Sequence, residues 1–213
     1  MSDETLNNTS FDFLKKEEML IKLRSYMNEP DDDSIRLKEE IKSRLLKCPE
    51  LLWALNAGEE YESVLFDSEG NLNETGEWDV YFGENSFIRP FLFIPETQDT
   101  VANYLCYQIS TDENMRFNSE IKYLVITFTI LVHAKNAIDE ETGIARHDLI
   151  ASIIRELMAW SGITMSHAVP IHESEGVTDN NYITKILKFQ ASMPNNLVVT
   201  KKGITSFVNK DKV

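Results

Sequence analysis

Basic side chains are what this sequence has little of. Lys and Arg number 21 against 35 Asp and Glu, a formal net charge of −14. That balance argues against a nonspecific grip on nucleic-acid phosphates, which needs cationic groups. It argues equally against attraction to anionic membrane surfaces. Cysteine is scarce too. Cys48 and Cys106 stand far apart and read as two small buried residues in a reducing compartment. The longest apolar run, 121–134, is too short for a membrane helix and is broken by threonines. The opening Met-Ser-Asp-Glu-Thr has no basic region followed by an apolar core, so no signal peptide is expected. The eight glycines are scattered and form no phosphate loop. Ser166-His167 and Ser174 have no nucleophile elbow around them. No His-x-x-x-His or Cys-x-x-Cys spacing marks a metal, and no cofactor is expected. No internal repeat is visible.

What is present fits one domain of ordinary size plus appendages, with the apolar content of a globular chain. The strongest stretch is 121–134. Leu124, Ile126, Phe128, Ile130, Val132 and Ala134 fall on one face of a strand; Tyr123, Val125, Thr127, Thr129, Leu131 and His133 fall on the other. Its β-branched and aromatic content favours a strand over a helix. The first face belongs against a core, and the second can meet water or a neighbouring subunit.

Helices are expected on both sides of it. Residues 11–28 form an amphipathic helix through Phe13, Leu14, Met19, Leu20, Leu23 and Met27. Ser34 is a good N-cap for a second helix reaching about Lys47, with the stripe Leu37, Ile41, Leu45 and Leu46. Pro49 suits the first turn of a short third. The best helix is 144–160, whose Leu149, Ile150, Ile153, Ile154, Leu157 and Met158 make a face wide enough to cover a sheet. Further strands are expected at 88–95, 103–110 and 182–192, with a short one through Leu197, Val198 and Val199. Pro90 and Pro95 lack N–H donors, which puts the first of these at an edge or trims it. The 103–110 and 121–134 strands pair most simply as a hairpin. The fold class is therefore α+β: a mainly antiparallel sheet with helices packed on one face, plus N-terminal helices. Residues 1–33 are a tail and helical arm; 34–213 are a single domain with an acidic insertion at about 59–87.

Charge is uneven. Fourteen acids lie between Glu59 and Glu120, opposed by Arg89 and Arg116; from Lys185 onward six lysines face Asp211 alone. Such a chain can pair one copy's basic end, Lys201 and Lys202 included, with another's acidic middle, or the charges can be simple solvated surface. Arg89, in a mostly apolar strand, and Arg146, opening a helix, can each bind a carboxylate within the chain or across an interface; either can also be a solvated arginine. Tyr123, Thr127 and Thr129 on the second face of the long strand complete the candidate interface. His147-Asp148 and His133 could meet across the strand–helix loop as a metal or acid–base site, or His147 and Asp148 could simply fix that loop. Glu120-Ile121-Lys122 has the Glu-x-Lys form used by metal-dependent nucleases, with Asp99 or Asp112 as the upstream carboxylate.

Two segments carry a resemblance together: Ile88-Arg89-Pro90-Phe91-Leu92-Phe93-Ile94-Pro95 and Thr142-Gly143-Ile144-Ala145-Arg146-His147-Asp148-Leu149-Ile150-Ala151, with the long strand between. Over residues 35–192 the order of elements resembles the small neck proteins of tailed bacteriophages, above all the tail-terminator or tail-completion group. The resemblance implies a non-enzymatic virion protein. Such a protein forms a ring, commonly a hexamer, that caps the tail tube and meets head-completion or connector proteins, while DNA passes through without specific binding. Glu69, Glu74 and Glu77 would then line the lumen or clasp the next ring. The alternatives are a phage nuclease using Glu120 and Lys122, and a soluble adaptor docking through its N-terminal helix.

Overall fold

The computed structural model describes residues 16–26, 33–55, 65–72, 81–82, 86–93, 101–111, 121–159, 162 and 167–194, and the backbone of 197–199 and 205–207. Expectations at Phe13, Leu14, Glu74, Glu77, Asp99, Asp112, Glu120, Ser166, Lys201 and Lys202 lie outside these residues. In order come α1 (Lys16–Ser25), α2 (Asp33–Leu45), α3 (Pro49–Leu55), β1 (Ile88–Arg89), β2 (Tyr104–Thr111) and β3 (Ile121–His133). A 3-10 turn (Ala134–Asn136), α4 (Arg146–Ala159), β4 (Val169–Val177), β5 (Tyr182–Pro194), β6 (Leu197–Val199) and β7 (Thr205–Phe207) follow.

Five strands form one sheet in the order β1-β2-β3-β5-β4; β6 and β7 pair separately. All neighbours in the large sheet are antiparallel except β1 and β2. The fold is α+β. The period-2 pattern of β3 does what its side chains dictate. Leu124, Ile126, Phe128, Ile130 and Val132 are buried, together with Leu105 and Tyr107 of β2 and Leu187, Phe189, Ala191 and Met193 of β5. Over them lie Leu37, Ile41 and Leu45 of α2, Leu51, Leu52 and Leu55 of α3, and Ile150, Ile154 and Met158 of α4. Each of the Leu, Ile, Val, Phe and Met side chains among them contributes about 1.5–3 kcal/mol through burial, and Phe128 also stacks edge-on against Phe189. Tyr107 Oη donates to the Lys38 carbonyl at 3.0 Å, tying β2 to α2.

The second face of β3 is divided. Leu131 packs with Cys106 and Tyr182 in a smaller cluster that Phe93 and Tyr104 close, while Tyr123, Val125 and Thr127 remain half-buried. Both cysteines are free and buried. Burial pushes the Cys48 thiol up to about 11, so it is inert as a nucleophile.

Four differences from the sequence expectations have physical causes. Of the strand expected at 88–95, the described residues 88–93 form only Ile88–Arg89: it lies at the sheet edge, stops before Pro90, and runs parallel to β2. The second helix begins at Asp33, one residue before the expected cap Ser34, and Asp33 is buried. The best helix starts at Arg146, not residue 144. β4 was not expected. Its segment, Val-Pro-Ile-His-Glu-Ser-Glu-Gly-Val, lacks an apolar stripe because an edge strand exposed along nearly all its length needs none. Pro170 adjoins a bulge there, where a lost donor is tolerated.

Candidate functional site

The loop between β3 and α4 is organised by a buried ion pair. Arg146 contacts Asp139 Oδ1 at 2.9 Å. It also donates from Nε to the Asn136 carbonyl and from Nη1 to the Ala54 carbonyl at the end of α3. Asp139 Oδ2 accepts from the amide and hydroxyl of Thr142. Gly143, at φ +69°, supplies the left-handed turn that lets its amide reach the Asp139 carbonyl. Burial raises the Asp139 carboxyl, but the Thr142 donors and Arg146 outweigh it and hold it below the usual carboxylate range. Of the uses expected for Arg146, the structure shows the internal one: it locks α3, the loop and α4 together.

Arg89 is likewise buried. Its guanidinium lies 3.6 Å from the centre of the Phe93 ring and 5.2 Å from that of Tyr104. Its Nε donates to the Ser86 carbonyl at 3.0 Å. This cation–π stack holds the chain after β1 over the small cluster. Lys122, at the start of β3, forms an ion pair with Asp33 Oδ2 at 2.9 Å, both side chains being buried. Asp33 also takes Arg36 at 2.6 Å. The pair with Asp33 fixes Lys122 to α2; Glu120, Asp99 and Asp112, the other residues of the expected nuclease pattern, lie outside the described residues.

The four histidines do not converge. His133 Nδ1 accepts the Lys135 amide and its ring meets Tyr182 edge-on. His167 Nδ1 lies 3.0 Å from the Ala159 carbonyl. His147 has a different setting. At the start of α4 it faces a cluster that sequence reading missed. Lys185 of β5, on the helix-covered side of the sheet, contacts Asp148 of α4 and, at 2.9 and 3.8 Å, Glu173 and Glu175 of β4. Arg155 reaches Glu173 at 2.7 Å. Lys185 holds the Asp148 carboxyl below its ordinary range, and Lys185 with Arg155 does the same for Glu173. The signal that could have shown this was Thr178-Asp179-Asn180-Asn181, a turn with Asn181 at φ +59° that pairs β4 with β5. That hairpin sets Glu175 directly opposite Lys185.

On the side of the sheet opposite the helices the chemistry is different. Register places Gln108 and Ser110 of β2 beside Thr127 and Val125 of β3, with Tyr123 next along that strand. Lys188, Gln190 and Ser192 of β5 follow, then His172 and Ser174 of β4. Among the described residues this face carries no carboxylate, in a chain of net charge −14. Of the expected interface residues, Tyr123 and Thr127 lie on it, half-buried, whereas Thr129, Arg89 and Arg146 are buried within the fold. Glu69 is exposed in a tight turn, where its amide and that of Asn71 donate to Asp67 Oδ1. No helix among the described residues is long and apolar enough to cross a membrane.

No curated protein matches the chain. One family model, YomW, matches residues 49–191, from α3 through nearly all of β5. That span covers more than half of the sequence and includes both the buried lock at Arg146 and the Lys185 cluster. The chain belongs to the YomW family, a phage-derived group, and is a phage protein.

Proposed function

We propose that this chain is a structural protein of the phage particle, associating with copies of itself into a ring at the head–tail junction. There it would terminate the tail tube and join it to the neck. The observation that carries the reading is the carboxylate-free face of the sheet. Two copies of a chain so acidic repel each other unless they meet where acids are missing. Interface centres are depleted in charge and rich in tyrosine and neutral polar groups, as at Tyr123, Val125, Thr127, Gln190 and Ser192. Identical copies meeting through unlike surfaces close a ring when the rotation allows. The net negative charge suits a lumen past which DNA slides without phosphate contacts. Its partners would be the tail tube protein and head-completion proteins, its place the virion, and its assembly the host cytoplasm. No chemistry is asked of it.

A second reading has its own observation. Met19, Leu20, Ile21 and Leu23 of α1 are exposed, and no α1 residue is buried. An arm of this kind suits docking on a partner, as an adaptor would use it.

Solution mass, measured alone and with tail tubes, tests the leading reading. The wild type is expected to form ring-sized assemblies, and Thr127→Glu with Lys188→Glu is expected to stay monomeric with an unchanged far-ultraviolet spectrum. Equal association of the doubly substituted chain would count against this face.

A further inference from the structure

At the start of α4 and along β4, three donor atoms converge: His147 Nε2, Asp148 Oδ2 and Glu175 Oε1 all lie within 4.8 Å of one another. Nε2 is 3.4 Å from the glutamate oxygen and 3.8 Å from the aspartate oxygen. Both separations are longer than a good hydrogen bond. They are close to the edge of a tetrahedron around zinc, about 3.4 Å for metal–ligand bonds of about 2.1 Å.

Acidic clusters arise on many surfaces, so the histidine decides the matter. His147 is only 8% exposed. Its Nδ1 has no hydrogen-bond partner among the described residues. Nothing among the described residues orients the ring through Nδ1, and its other nitrogen is aimed between two carboxylates. Lys185 supplies the positioning. It holds Asp148 by Oδ1 and lies beside Glu175 Oε2, leaving the opposite oxygen of each carboxylate turned to His147. A lysine on the far oxygens orients the near ones, as outer-shell partners of metal ligands do. Lys185 and Arg155 also offset two of the three negative charges of Asp148, Glu173 and Glu175, which leaves a net negative charge to meet a dication. The carboxylate side chains are 49% and 55% exposed, so an ion can enter from solvent and keep a water.

We infer that His147, Asp148 and Glu175 bind one divalent transition-metal ion of the zinc class, with a further coordination position open to solvent. The imidazole binds through Nε2 and keeps its proton on Nδ1. Because that proton has no acceptor among the described residues, affinity is expected to lie about 10–100-fold below that of a site with a complete outer shell. The ion staples the first turn of α4 to the β4–β5 hairpin.

The test is calorimetric titration of the chelator-treated full chain with Zn2+, paired with the visible absorption of the Co2+ form. One ion per chain, and cobalt bands of a tetrahedral or five-coordinate site, are expected. Glu175→Gln, at an exposed position, is expected to weaken binding by at least about tenfold. His147→Asn is expected to abolish the cobalt bands, while His172→Ala leaves them intact. Absence of binding by the folded wild type would overturn the proposal. So would binding that survives Glu175→Gln unchanged, or binding lost in His172→Ala.

Discussion

At the scale of single residues, the buried charges decide how the molecule is put together. Arg146 and Asp139 form a buried pair tied to Asn136, Ala54 and Thr142 of the same fold, and breaking such a pair costs about 3–5 kcal/mol because one charge is left buried alone. The pair also has a pH signature. Asp139 titrates below the usual carboxylate range in the folded chain. A group whose folded value is depressed contributes stability that is fully present above its unfolded value, about 4. That contribution disappears as pH falls through the folded value. Melting temperatures measured from neutral pH downward should therefore fall below about pH 4. Asp139→Asn should be less stable at neutral pH and lose less on acidification. Parallel curves for the two proteins would show that Asp139 is not a source of the acid lability. Lys122 and Asp33 belong to the same class of buried pairs. The spacing Glu-x-Lys says nothing about what packs on the lysine.

At the scale of elements, the parts legible in the sequence were those with one face buried and the other open. The alternation along β3 and the helical period of α4 both come from burial on a single side, and both were readable. The β2–β3 hairpin followed from proximity in the chain. β4 was illegible because both its faces are largely exposed. What fixes it is the ladder to β5 and the Lys185 contacts, none of which leaves an apolar period. Missing β4 hid the whole charged cluster, since Glu173 and Glu175 are meaningful only opposite Leu187 and Lys185. The parallel sense of β1 was equally hidden, because two residues carry no direction. α1 was readable as a helix, yet its packing was not, and in the structure none of its residues is buried. Deleting residues 1–32 should leave the melting temperature unchanged while reducing any association that depends on the arm. A large loss of thermal stability on deletion would show that the arm is part of the core.

At the scale of the whole molecule, the distribution of acid is the feature that ties fold to function. Carboxylates occupy the helix-covered side and the β4 edge, where Lys185 and Arg155 meet them, and the open face of the sheet has none among its described residues. A solvated surface on a chain of this composition would be expected to carry both signs. A carboxylate-free, partly buried, tyrosine-bearing sheet face is suited to another protein surface, and copies of the same chain are the simplest supply. Membership of a phage-derived family narrows the setting to a phage without choosing the position in the particle. Electron microscopy of phage particles assembled with a tagged copy of this chain tests that position directly. A closed ring of copies at the head–tail junction, each turning its open sheet face to a neighbour, is the predicted result. Particles lacking the chain, or holding single copies away from the junction with that face in solvent, would contradict it.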